Sequence, residues 1–256
     1  MKSCIQNILI CLVALILFII ISSIHIKEIF YNNLSIIFLI TVFFVLISII
    51  INIKFHNKIN LTNTIALKYY YIVLLFFVII FIIESVIYIQ LDYYQYGNIP
   101  NYNYNYNYSM IDIFLSIILF PFVEEYIFRG LLLTIIKKYI KHFSIIVISL
   151  LFTLYHIGQE HNTIAFLIFV FITSLLLGII SYKLNSIYLC IFGHIIHNFL
   201  ILLNNYFLEQ YNTNMKIIFN NSFNRITVFF VTIILIIFFI FISKYFYKKY
   251  FDIFES

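Results

Sequence analysis

Apolar runs of about twenty residues recur along the chain, and nothing else constrains its folding as much. A helix needs about 20 mainly apolar residues to cross a bilayer, and polar flanks mark its ends. Such runs lie near residues 5–24, 34–53, 66–90, 111–136, 143–159, 163–182, 187–207 and 226–246. With only 5 Gly and 2 Pro in the chain, no Gly/Pro/Ser-rich linker divides them. The expectation is an all-α polytopic membrane protein with about eight transmembrane helices, a single integral membrane domain over residues 1–256. Composition removes the alternatives. Charged residues make up 10% of the chain, whereas a soluble domain carries roughly 25%. So few charges cannot cover a globule of this size, so the apolar excess must face the lipid bilayer. A soluble enzyme, a disordered chain and, despite the net charge of +5, a nucleic-acid-binding domain are excluded.

Orientation follows from Lys and Arg. With the N-terminus inside, the inner segments carry Lys2, Lys54, Lys58, Lys68, Lys137, Lys138, Lys141, Lys183, Lys244, Lys248 and Lys249. The outer loops carry Lys27, Lys216 and Arg225, and Arg129 falls inside a span. The positive-inside rule then places both termini in the cytoplasm and favours an even number of spans; the plasma membrane of a prokaryote is the expected location. Lys2 and the run Ile5–Ile24 resemble a signal sequence. The run is longer than a usual signal core and no A-x-A site follows, so an uncleaved first span is expected. Cys4, Cys11 and Cys190 show no CxxC spacing and read as small buried hydrophobes. The alternating tract Asn101–Tyr108 in the loop after the third span reads as a poorly ordered repeat expansion.

Against this background a few polar residues stand where lipid should exclude them. A charge at the bilayer centre costs about 2.5–3.5 kcal/mol on insertion scales, so such residues usually face a cavity or a partner. Span four contains Glu124, Glu125 and Arg129, span five ends at Phe152-xxx-His156, and span seven contains His194, His197 and Asn198. Glu84 and Asp112 lie nearer the outer ends of spans three and four. Glu125 and Arg129, four residues apart, share one helix face and can form an ion pair. Glu124 projects about 100° away around the helix. Pro121 loosens the preceding turn and can admit water beside the carboxylates. Adjacent carboxylates in a dry site repel, and one tuned in this way can act as a base near neutral pH.

His194 and Asn198, four apart, project from one face of span seven, while His197 points elsewhere and reads as a non-catalytic neighbour. Imidazole and carboxamide can both donate to a developing oxyanion. Metal is an open alternative. His156, His194 and Glu124 would supply a His₂Glu zinc set, with Glu125 then serving as base. The HExxH motif is absent. A metal-free, glutamate-activated water is the preferred reading.

These residues resemble a known family, the CPBP intramembrane peptidases, also called the CAAX protease or Abi family. Its pattern is EExxxR, then FxxxH, then HxxxN or HxxxD. Here these are Glu124-Glu125-xxx-Arg129, Phe152-xxx-His156 and His194-xxx-Asn198. Leu175–Gly178 and Asn185-Ser186, leading to the last motif, are similar too. The likeness spans residues 115–206, which it identifies as a catalytic core. It implies an eight-helix endopeptidase in which Glu124 activates water, His156 assists, and His194 with Asn198 holds the oxyanion. Glu125, Arg129 and Phe152 would support them. The implied substrate is a peptide or protein, such as a prenylated CaaX segment or a bacteriocin precursor. The chain departs from the family where a Trp-Pro pair is replaced by Ile187-Tyr188-Leu189 and a Gly by Thr153. Two other readings use the same residues: a non-catalytic membrane immunity factor or scaffold, and a proton-coupled transporter. Against the transporter, the chain shows no internal repeat and no paired Gly/Pro-broken helices.

Overall fold

The structure is a computed structural model that describes residues 66–96, 110–157 and 164–220, with scattered positions between 227 and 244. The expected spans at 5–24 and 34–53, most of that at 226–246, and the Asn101–Tyr108 tract lie outside the described residues. Cys4 and Cys11 lie outside them too.

Every described element is helical. The chain runs through α1 (Leu67–Tyr96), α2 (Met110–Phe114), a π-helical segment π1 (Leu115–Leu119) and α3 (Phe120–Glu125). It continues through a second π segment, π2 (Tyr126–Leu132), then α4 (Leu133–Ile140), α5 (Phe143–Tyr155), α6 (Ile164–Leu184) and α7 (Ile187–Asn220). Among the described residues, three stretches are long and apolar enough to cross a membrane: Leu67–Tyr88, Ile164–Leu184 and Ile187–Asn204. They fall within the expected spans at 66–90 and 187–207 and close to that at 163–182. The expected span at 143–159 is the shorter apolar helix α5. The expected span at 111–136 is a composite of α and π turns, and helix continues to Ile140.

The composite has a local cause. Pro121 lacks an N–H, and in an α-helix its ring would strike the carbonyl four residues back, that of Ile117. Ile117 lies inside π1, where the wider turn accommodates the ring. In π2 the Leu133 N–H bonds the Phe128 carbonyl, five residues back.

The chain divides into two compact units. The first takes in residues 119–191. Its core joins Val123, Phe128 and Leu132 to Ile148 and Phe152 of α5. α5 and α6 approach closely because Gly178 faces Ile145, whose Cγ2 would lie 2.8 Å from an added Cβ. Ser144, Ser149, Ser174 and Ser181 are buried on the same two helices, in keeping with small residues at membrane helix contacts. α4 turns into α5 at Lys141, which holds φ 47°. α6 turns into α7 through Asn185, at φ 48°, and Ser186, whose Oγ accepts the Leu189 N–H as an N-cap. Cys190 is buried and free, as expected.

The second unit takes in residues 65–118 and 192 onward. Here α7 packs on α1 at Gly193, where a Cβ would lie 2.5 Å from Phe77 Cε2 and 3.0 Å from Val73 Cγ1. Tyr70 meets Phe192 edge-on at 5.2 Å between ring centres. Both units expose large apolar side chains, among them Leu75, Ile82, Leu150, Leu154, Ile168 and Ile172. Such a surface suits lipid.

Candidate active site

α3 and π2 carry the first motif into the core of the first unit. Glu124 is 7% exposed, Glu125 0% and Arg129 1%. Charges this deep must be paired and hydrogen-bonded to be tolerated. Arg129 Nη1 donates to Glu125 Oε1 at 2.8 Å, the pair expected from the i, i+4 spacing. Nη2 donates to Ser174 Oγ at 2.7 Å and to the Ser174 carbonyl at 3.2 Å, which ties the motif to α6. The guanidinium also lies 4.4 Å from the centre of the Phe152 ring, a cation–π contact in a dry setting.

Phe152 thus links the first motif to the second. Its ring packs against Phe128 at 4.9 Å and against His156 at 4.5 Å. His156 caps the end of α5, and its Nδ1 lies 2.8 Å from the Phe152 carbonyl oxygen. A carbonyl only accepts, so Nδ1 carries the proton in this contact and Nε2 is the acceptor of the neutral ring. The four-residue spacing of FxxxH therefore does two things at once. The Phe ring buttresses the imidazole, and its carbonyl fixes the tautomer.

The third motif lies on α7, within the second unit. His194 is buried. Asn198 Nδ2 donates to the Ser116 carbonyl at 3.1 Å. In the five-residue pattern of π1, the donor facing that carbonyl would be residue 121, a proline without an N–H. Asn198 supplies a donor there and keeps a second N–H and its own oxygen for other partners. His197 Nε2 lies 2.8 Å from Glu84 Oε2. The structure thus joins Glu125, Arg129, Phe152 and His156 in the first unit, where Glu124 is also buried, and carries His194 and Asn198 on the second. Among the described residues, no three His, Cys, Asp or Glu side chains group as a metal-ion set.

Sequence reasoning missed three participants: Ser174, Ser116 and the Glu84–His197 pair. Ser174 and Ser116 give no signal, since a serine in an apolar run is unremarkable. Glu84 did stand out as a charge in a span, but nothing in the sequence named its partner.

The comparison with protein families agrees with these motifs. Residues 106–200 match the family described as Type II CAAX prenyl endopeptidase Rce1-like, a stretch that includes all three motifs. Residues 106–200 are thus similar to the Rce1-like CAAX protease family. That is a peptidase family, and the likeness fits an integral membrane protein built from apolar helices. No curated protein and no solved structure matches the chain.

Proposed function

We propose that the chain is an intramembrane endopeptidase that hydrolyses a peptide bond with a glutamate-activated water. The observation that carries the reading is the buried Glu125–Arg129–Phe152–His156 cluster, which sits within the Rce1-like segment and holds the imidazole in one tautomer. In the proposed reaction Glu124 takes a proton from water as the oxygen attacks the scissile carbonyl. His156, with Nε2 as acceptor, orients that water or relays its proton. The carbonyl oxygen becomes an oxyanion, stabilised by donors from the His194 ring and the Asn198 amide. The C–N bond then breaks, and the proton passes to the leaving amine. Glu125 and Arg129 hold the segment and do not touch the reacting atoms. The substrate class that the likeness to this family supports is a peptide or protein in the membrane, with a prenylated CaaX segment as the first choice.

The test is turnover of a quenched fluorogenic peptide ending in a farnesylated CaaX sequence, with a peptide library beside it, by protein in nanodiscs. Glu124→Gln is expected to lower kcat by at least about 100-fold, as loss of a general base does, with the unfolding temperature retained. Full activity in that variant overturns the mechanism.

A further inference from the structure

The second unit holds an ionisable pair that the three motifs do not include. His197 Nε2 and Glu84 Oε2 are 2.8 Å apart, with side-chain exposures of 12% and 8%. Their helices, α7 and α1, are joined there by a contact between residues 113 positions apart. Ionisable groups inside apolar helix bundles are costly and are rarely kept without a use. The surrounding contacts all bear on one turn of α7. Just before it, Gly193 presses its backbone on Phe77 and Val73. Within it, the His197 ring meets the edge of Phe77 at 5.9 Å. Just after it, Asn198 is tied to the Ser116 carbonyl. His194 stands on this clamped turn, about 60° around the helix from His197.

We infer that Glu84 is a positioning residue for the proposed peptidase. Through His197 it fixes the rotation of α7, and with it the aim of the His194 imidazole and the Asn198 amide. The inference rests on the peptidase reading for its use, but not for its geometry. A side-chain head stands about 6 Å from its helix axis, so a rotation of about 10° moves it by about 1 Å. Misplacement by about 1 Å can cost about 100-fold in rate. Packing at Gly193 sets how closely the helices approach, but a bare backbone against two apolar side chains sets rotation only weakly. A directional hydrogen bond on one side and the Asn198 bond on the other set it firmly.

The test reads the aim of α7 directly, by ¹⁵N imidazole spectra of histidine-labelled protein in nanodiscs, with the His194 signal assigned from His194→Gln. Glu84→Ala is expected to shift or broaden the His194 signal. It is also expected to lower kcat on the farnesylated fluorogenic peptide by about 100-fold, with KM within about threefold. Glu84→Gln can still accept a hydrogen bond from the His197 ring through its amide oxygen and is expected to keep the His194 signal in place. The double variant Glu84→Ala/His197→Ala is expected to be no slower than Glu84→Ala alone, because the two act as one device. An unmoved His194 signal in Glu84→Ala overturns the inference. Should that variant fail to fold, Glu84→Asp carries the test, because retracting the carboxylate by one methylene must move the same signal. Full activity in Glu124→Gln, by contrast, overturns the peptidase reading alone, since the His194 spectrum needs no turnover.

Discussion

Arg129 shows how much one side chain can hold in this fold. Its guanidinium donates to Glu125 and twice to Ser174 and lies against Phe152, all at 1% exposure. The planar fork makes this possible, because one nitrogen can serve Glu125 while the other serves Ser174. An ammonium in its place is a point charge with neither the fork nor the stacking face. Arg129→Lys is therefore expected to destabilise the protein substantially, although charge is conserved. Arg129→Ala, which leaves a buried carboxylate without its cation, should cost on the order of 3–5 kcal/mol. Replacing the pair together, as Glu125→Leu/Arg129→Met, should cost less than Arg129→Ala alone, because no buried charge is then stranded. Unfolding of the purified variants in detergent, followed by circular dichroism, checks the order. A double variant less stable than Arg129→Ala contradicts this account of the pair.

At the scale of elements, the composite helix from Met110 to Ile140 holds both π segments. π turns are rare and are found disproportionately at functional sites. Here two of them flank the six residues that carry Glu124 and Glu125. Pro121→Ala restores an N–H that can compete with Asn198 for the Ser116 carbonyl. Stability is expected to rise by about 1 kcal/mol or more, since the interior proline penalty is removed. Activity is expected to fall, because Asn198 loses part of its anchor, so the unfolding temperature and kcat should move in opposite directions. A Pro121→Ala variant that is both more stable and fully active would separate π1 from function. The helix links give a simpler case. Lys141 holds φ 47°, where a Cβ is strained, whereas Asn185 at φ 48° is a residue type that tolerates positive φ. Lys141→Gly should therefore stabilise by about 1 kcal/mol, and Asn185→Gly by little. Equal thermal shifts for the two variants would contradict this.

For the whole molecule, hydropathy and motif order carried most of the legible information. A membrane helix satisfies its own backbone, so each span announces itself locally, as Leu67–Tyr88 and Ile164–Leu184 do. The Glu125–Arg129 pair was equally legible, because four residues on one helix fix it. What stayed hidden was set by tertiary approach: Ser174 is 45 residues from Arg129, and Glu84 is 113 from His197. The π turns were hidden for another reason, since an apolar run shows no phase slip when every face is apolar. Orientation belongs to this scale too, and it rests on charge. Eleven of the 15 Lys and Arg residues fall on one side when both termini are placed inside. Lys137, Lys138 and Lys141 are the densest group, at the α4–α5 turn. A C-terminal fluorescent-protein fusion is then expected to glow, and a C-terminal alkaline phosphatase fusion to stay inactive. Cysteine placed at Tyr104 should react with an impermeant maleimide in intact cells. Replacing Lys137, Lys138 and Lys141 by Gln should weaken this bias and yield a mixed population, because short inner loops set topology by their cationic count. An active phosphatase at the unaltered C-terminus would overturn the charge argument that places this terminus inside.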